Sequence, residues 1–284
     1  PIDKYGYGCS YETVRWFLDG DGTAFLHLSA DGTVTVKENA PDVPLEARLF
    51  AYTENIVGEP VRIVIARGIS SAEEFLEIAS DPYGYYMLKS DIEFSRPFVP
   101  FPAFYGVLYG NLNLVTVSFA LDASRTDYGL VAENYGVTDG IIISFSAPLE
   151  GYSGRIRYVG GIAAVNYGII RDCSAGNGSF GSGDADWCTG GIAGLNEGLI
   201  RGCSNYTVIV GGKFSGGITG HNRGRIESSV NARALCVYVE EGEAVSVSGV
   251  AGYNEGTVTN SSHFEKVFIY VRDTQPEGAD ENAA

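Results

Sequence analysis

The sequence predicts an all-β fold: a right-handed parallel β-solenoid (β-helix), preceded by a small β-sandwich and closed by one short capping helix. Three observations predict it. The segment GGIAAVNYGIIRDCS at 160–174 returns as GGIAGLNEGLIRGCS at 190–204. The triplet Asn-x-Gly recurs at Asn134, Asn166, Asn196, Asn222 and Asn254, at intervals of 32, 30, 26 and 32 residues. Residues 12–67 read differently, alternating polar and apolar side chains between Asp-Gly turns.

Taken in chain order, residues 1–67 form the first module. Asp19-Gly20, Asp21-Gly22 and Asp31-Gly32 punctuate short alternating runs, and PLEARLFAYTE and EPVRIVIARG add further strands. Short strands at that spacing suggest an antiparallel sandwich. Only residues 1–13 precede Val14, so the module is expected to lack an edge. ISSAEEFLEIAS at 69–80 is the one helix: Ser70 with Glu73, or Ser71 with Glu74, makes a capping box. Phe75, Leu76 and Ile78 give it an apolar side to cover the open end of the solenoid, which otherwise exposes strand edges.

Residues 68–271 form the solenoid. Five positions before each Asn stands a glycine, then an aliphatic residue; two before it stands Ala or Gly. Alternate positions share one side of a strand. No repeat contains a helix to cover that side, so coils must stack on one another. Asn134, Asn166, Asn196, Asn222 and Asn254 are then a structural ladder, each amide reaching the next, with the left-handed turn conformation that Asn tolerates. The following position reads Glu197, Arg223, Glu255 in successive coils, a register-keeping charge alternation. His221, one before its Asn, is expected on a variable surface rung. Residues 272–284 are acidic and poor in apolar side chains, a composition expected to be disordered.

The totals exclude several functions. A net charge of −16 opposes binding to nucleic-acid phosphates. No run of eighteen apolar residues exists, so no membrane insertion is expected within this chain. Five cysteines without C-x-x-C argue for free buried thiols, although Cys173 and Cys203 are equivalent rungs close enough for a disulfide to be conceivable. No H-E-x-x-H, G-x-S-x-G or Walker spacing occurs. Arg171 and Arg201 fall on equivalent outward positions followed by Glu227 and Thr259, with no acidic cluster.

The segment most like a site is SAGNGSFGSGDADWC at 174–188, which interrupts two strong repeats. Trp187 on such a loop can stack on a sugar face, while Asp184 and Asp186 can hold calcium or sugar hydroxyls. The competing reading folds Trp187 back under its own loop.

The pattern G-[IV]-[AT]-[GA]-x-N-x-G-x-[IV]-x-x-[CS]-S resembles the GLUG motif, a repeat of bacterial surface and secreted proteins that include some IgA-cleaving peptidases. YGYYMLKSDIEFS and FYGVLYGN resemble the coil that precedes such repeats. The resemblance is specific over 160–262 and looser before it; in YGLVAENYGVTDGII, Thr138 stands where the motif has an aliphatic residue. Trp16, LSADGTVTV and EARLFAYT resemble a bacterial Ig-like domain. These resemblances imply a non-catalytic, adhesin-like module, extracellular or on the bacterial cell surface, that binds a host surface protein or a glycan through solenoid loops. Two alternatives stand beside it: a polysaccharide-acting enzyme of the β-helix class, which needs converging carboxylates, and a passive stalk.

Overall fold

A computed structural model describes residues 14–38, 45–53, 57–120, 122, 124–145, 156–181, 188–240, 242 and 244–272. The chain divides into two compact units, Pro1–Arg67 and Gly68–Ala284.

In the first unit, Arg15–Asp19, Leu45–Tyr52 and Val61–Ile65 form a three-stranded antiparallel sheet, and Leu26–Leu28 pairs with Val34–Val36 as a hairpin. The Asp-Gly turns behave as their chemistry requires: Gly20 and Gly32 have φ of 112° and 88°, where glycine pays no Cβ penalty. Asp31 accepts from the Ser29 hydroxyl and from the Thr33 amide at 3.0 Å, and these bonds hold its carboxyl down at about 2. Trp16, expected at the centre of a core, is half-buried, its ring against Gly32.

The second unit is a parallel β-solenoid with four faces. Each full coil lays one strand on each. The first face has five strands, from Asp127–Tyr128 to Ser246–Ser248; the second has six, from Phe101–Phe104 to Ala251–Asn254. The third has eight, from Arg67–Ile69 to Thr257–Thr259, and the fourth begins at Ile92–Glu93 and ends with Ser262–His263 and Val267–Arg272. Equivalent residues pair across coils: Leu108, Thr138, Ile170, Ile200, Ile226 and Val258 form one inward column. Thr138 lies in register and is 2% exposed, so the departure from the motif leaves the stacking intact.

The Asn column lies on the second face. Asn134, Asn166, Asn196 and Asn222 are fully buried, and each Nδ2 donates to the next Oδ1 at 2.7–2.8 Å. Each amide also reaches backbone carbonyls, as Asn196 does to Gly198 at 3.3 Å and to Arg225 at 3.2 Å. The left-handed conformation is not at these asparagines. It lies six residues on, at Gly140, Asp172, Gly202, Ser228 and Asn260, with φ between 49° and 65°. The glycine two after each Asn answers to close approach instead: a Cβ on Gly198 would sit 2.2 Å from the Gly168 carbonyl oxygen.

A second buried ladder runs on the fourth face. There Val115, Ile143 and Ala175 give way to Asn205, Asn231 and His263. Asn205 Nδ2 donates to Asn231 Oδ1 at 2.8 Å, and Asn231 Nδ2 lies 2.8 Å from His263 Nδ1. A Cβ on Gly191, Gly217 or Gly249 would stand 2.1–2.5 Å from the side chain of Asn205, Asn231 or His263, so these three glycines make room for this column.

The helix α1 (Ala72–Leu76) is shorter than expected and passes into a 3-10 turn at Glu77–Ser80. Its capping box uses Ser71 and Glu74: the Glu74 amide donates to Ser71 Oγ at 3.2 Å, and the Ser70 amide donates to the Glu74 carboxylate at 2.6 Å. Phe75 and Ile78 are buried, whereas Leu76 is turned outward. Phe75 stacks on Phe101 at 5.6 Å and meets Phe94 edge-on at 5.7 Å, covering the N-terminal end of the core. At the other end, side chains of Val267–Val271 stay substantially exposed.

Candidate functional site

From Asp127 onward, three of the four corners of a coil are fixed, whereas the third-to-fourth passages before it are 89–91 and 110–113. First to second face takes two residues (129–130, 161–162, 191–192, 217–218, 249–250), as does second to third (135–136, 167–168, 197–198, 223–224, 255–256) and third to fourth (140–141, 172–173, 202–203, 228–229, 260–261). The passage from the fourth face back to the first is different. It spans 118–126, 146–157, 182–187, 212–213 and 241–245. From Asp127 onward, variation in length lies in the fourth-face strand, which grows from 142–145 to 174–181 and 204–211, and in the passage after it.

The stretch 174–188, expected to interrupt the repeats, is not all loop: Ser174–Gly181 is a fourth-face strand in the stack, and only 182–187 joins it to Cys188–Gly190. Asp184, Asp186 and Trp187 lie outside the described residues, but the strands on either side fix where their segment enters and leaves. Cys188, next after Trp187, pairs with Tyr158 and Phe214. Those two residues directly follow Arg157 and Lys213. The Arg157 guanidinium lies 5.2 Å from the Tyr158 ring centroid and bonds Asp127 at 2.9 Å; the Lys213 ammonium lies 5.8 Å from the Phe214 ring. Asp127 holds the Arg157 guanidinium above its ordinary range. In both neighbouring coils the residue paired with Cys188 is therefore an aromatic ring with a cation against it, a pairing favourable for polar, hydroxyl-rich or charged ligands.

His221 is not the surface rung that its position suggested. It is 8% exposed, with Nε2 2.8 Å from Glu255. Phe214 of the first face and Tyr253, the next rung of the second, lie 6.1 and 5.0 Å from its ring. Arg223 bonds Glu255 at 2.8 Å and Glu197 at 3.3 Å, and both Arg223 and then His221 lower the Glu255 carboxyl.

The column of Glu197, Arg223 and Glu255 has a second half that the charge pattern hid. Along the same corner, Tyr83, Tyr105, Tyr135 and Tyr167 stack ring on ring at 4.7, 5.0 and 4.8 Å, 7–12° from parallel. Arg171 pairs with Asp139 at 2.7 Å, one coil before it, while Arg201 is exposed. Asp139 lines a shallow hollow of about 230 Å³ with Met87, Tyr109 and Asp172.

Among the described residues, no group of three or more His, Cys, Asp or Glu is placed to hold a metal ion. No described helix is long and apolar enough to cross a membrane. Cys173, Cys188, Cys203 and Cys236 are free thiols, so the conceivable Cys173–Cys203 bridge is not formed, and Cys9 lies outside the described residues. No family model, no curated protein and no solved structure matches the chain.

Proposed function

We propose that this chain is a non-catalytic, adhesin-like module of a bacterial cell-surface or secreted protein. In this reading it is a right-handed solenoid of the GLUG type behind an Ig-like domain, and it binds a host surface protein or glycan along its variable-loop edge. The observation that supports the reading is that, from Asp127 onward, variation in length falls on the fourth-face strand and the passage after it, the stretch that holds 182–187 and leads to Cys188, which pairs with Tyr158 and Phe214. Repeat proteins place insertions on one face, and that face is commonly the one that binds. Asp184 and Asp186 would hold calcium or sugar hydroxyls, and Trp187 would supply the apolar stacking surface. Several carboxylates elsewhere on the solenoid are tied to arginines, as Asp127 to Arg157, Asp139 to Arg171, and Glu197 and Glu255 to Arg223. That arrangement favours recognition over acid–base chemistry on a polysaccharide, which needs two free carboxyls across one bond.

The test is a panel of glycans and host matrix proteins probed with the intact chain, with and without calcium. Truncating a central aromatic anchor typically costs about 2 kcal/mol, so Trp187→Ala should weaken binding about 30-fold while the circular dichroism stays native. Binding that survives replacement of 182–187 by the two-residue connection of 212–213 would move the site elsewhere. An intact chain that binds nothing on either panel leaves the passive stalk.

A further inference from the structure

Four tyrosines form an unbroken exposed stack along one corner of the solenoid. Tyr83 is 64% exposed, and Tyr105, Tyr135 and Tyr167 are 42–43% exposed, so their ring edges and hydroxyls meet solvent while their faces are spent on one another. The centroid spacing of 4.7–5.0 Å is the coil spacing itself, and the planes tilt by only 7–12°. Such faces are closed to a stacking sugar. What the geometry leaves open is chemistry between adjacent phenols.

The third ring carries a base. Tyr135 Oη donates to Glu133 Oε2 at 2.9 Å, and Glu133 stands two residues earlier, on the strand Val131–Asn134 that leads into the corner. Removing one electron from a phenol is easiest when its proton can leave at the same moment to a positioned acceptor. Tyr135 has that acceptor and a stacked neighbour on each side. An electron hole formed anywhere in the stack can therefore settle at Tyr135 and meet a second phenoxyl in the next coil.

We propose that the stack of Tyr83, Tyr105, Tyr135 and Tyr167 is an oxidative cross-linking site, in which a peroxidase-type one-electron oxidant joins Tyr135 to Tyr105 or Tyr167 as dityrosine and so staples adjacent coils. Each phenol of the pair loses one electron and one proton. The Tyr135 proton passes to the Glu133 carboxylate and then to water. The two phenoxyl radicals couple through one ortho carbon each, and loss and return of a proton on each ring restores both phenols. The two electrons and two protons reduce one hydrogen peroxide to two waters. The staple adds a covalent cross-coil link where the register otherwise rests on hydrogen bonds and stacking. This inference is independent of any ligand at the loop edge.

The experiment treats the full chain, at low protein concentration, with peroxidase and hydrogen peroxide. It follows dityrosine fluorescence and maps cross-linked peptides in the monomer fraction by mass spectrometry. Tyr105–Tyr135 and Tyr135–Tyr167 links should dominate over any link to Tyr206, which is 50% exposed and so no less accessible. Tyr135→Phe keeps the ring stack and should remove both links. Glu133→Gln keeps the length of the side chain and should slow them about tenfold, a conservative figure for loss of a positioned base. Links spread over exposed tyrosines regardless of stacking would overturn the proposal. So would coupling found only between molecules, or a rate indifferent to Glu133→Gln.

Discussion

Asn196→Ala is the most direct probe of what holds the coils together. Asn196 is fully buried. Its Oδ1 accepts from Asn166 at 2.8 Å, and its Nδ2 donates to Asn222 at 2.8 Å and to the carbonyls of Gly198 and Arg225 at 3.3 and 3.2 Å. Truncation strands the Asn222 Oδ1 in a site without water, which costs about 1–3 kcal/mol. The Asn166 amide keeps Gly168 and Leu199 as acceptors, so its loss is a single bond of about 1 kcal/mol. Two carbonyls each lose one of their donors, and a small void remains. The expected cost is about 4 kcal/mol, a large part of a typical domain's stability. Asn254→Ala is the control. Asn254 is exposed, and Asn222 retains the Thr257 carbonyl, so water replaces what is lost and about 1 kcal/mol is expected. Urea unfolding followed by circular dichroism measures both, read from the midpoint at constant slope. Equal costs for the two variants, or less than about 1 kcal/mol for Asn196→Ala, would show that packing rather than the ladder sets the register.

Further outcomes follow from the same geometry. Gly136→Ala should cost more than about 3 kcal/mol, since its Cβ would lie 2.2 Å from the Gly106 carbonyl oxygen, while Gly140→Ala, with nothing nearer than 3.6 Å, carries only the left-handed penalty of about 1 kcal/mol; thermal melts of the pair separate crowding from strain. The Tyr135 phenol, raised by its bond to Glu133, ionises at about 12 rather than 10.0. Because the folded state holds that proton more tightly, its contribution to stability is complete below pH 10 and is lost as pH rises through about 12, which an alkaline absorbance titration against Tyr135→Phe would follow. Burial pushes the Cys188 thiol up to about 12, against Lys213 and Arg223, and raises Cys173 well above its ordinary value. Among the four described cysteines, peptide-level alkylation at neutral pH should therefore mark half-buried Cys236 first and leave buried Cys173, Cys188 and Cys203 untouched until the chain unfolds.

The Asn column was legible because it repeats one residue type through five successive coils, although Phe104 fills the same rung one coil earlier. The left-handed corner was not, because Gly140, Asp172, Gly202, Ser228 and Asn260 share a backbone conformation and no side chain. The second ladder escaped notice because three coils carry it as Asn205, Asn231 and His263 while the earlier ones place apolar residues there. His221 misled because alternation says which side of a strand a residue takes, and both sides of the second face are covered. The loop edge had a readable signal in the unequal ladder intervals. From one first-face strand through the third two-residue corner the count is constant, at 158–173, 188–203, 214–229 and 246–261, so the remainder absorbs every difference. The chemistry of that edge stayed out of reach: Asp184, Asp186 and Trp187 fall outside the described residues.

That constant block makes length a heritable variable. Excising 166–195 would join Val165 directly to Asn196, and Asn134 would then face Asn196 as it now faces Asn166. Duplication would do the reverse. A gene built this way can grow or shrink by whole turns under recombination without redesigning any contact, so reach can be selected separately from whatever the loops recognise.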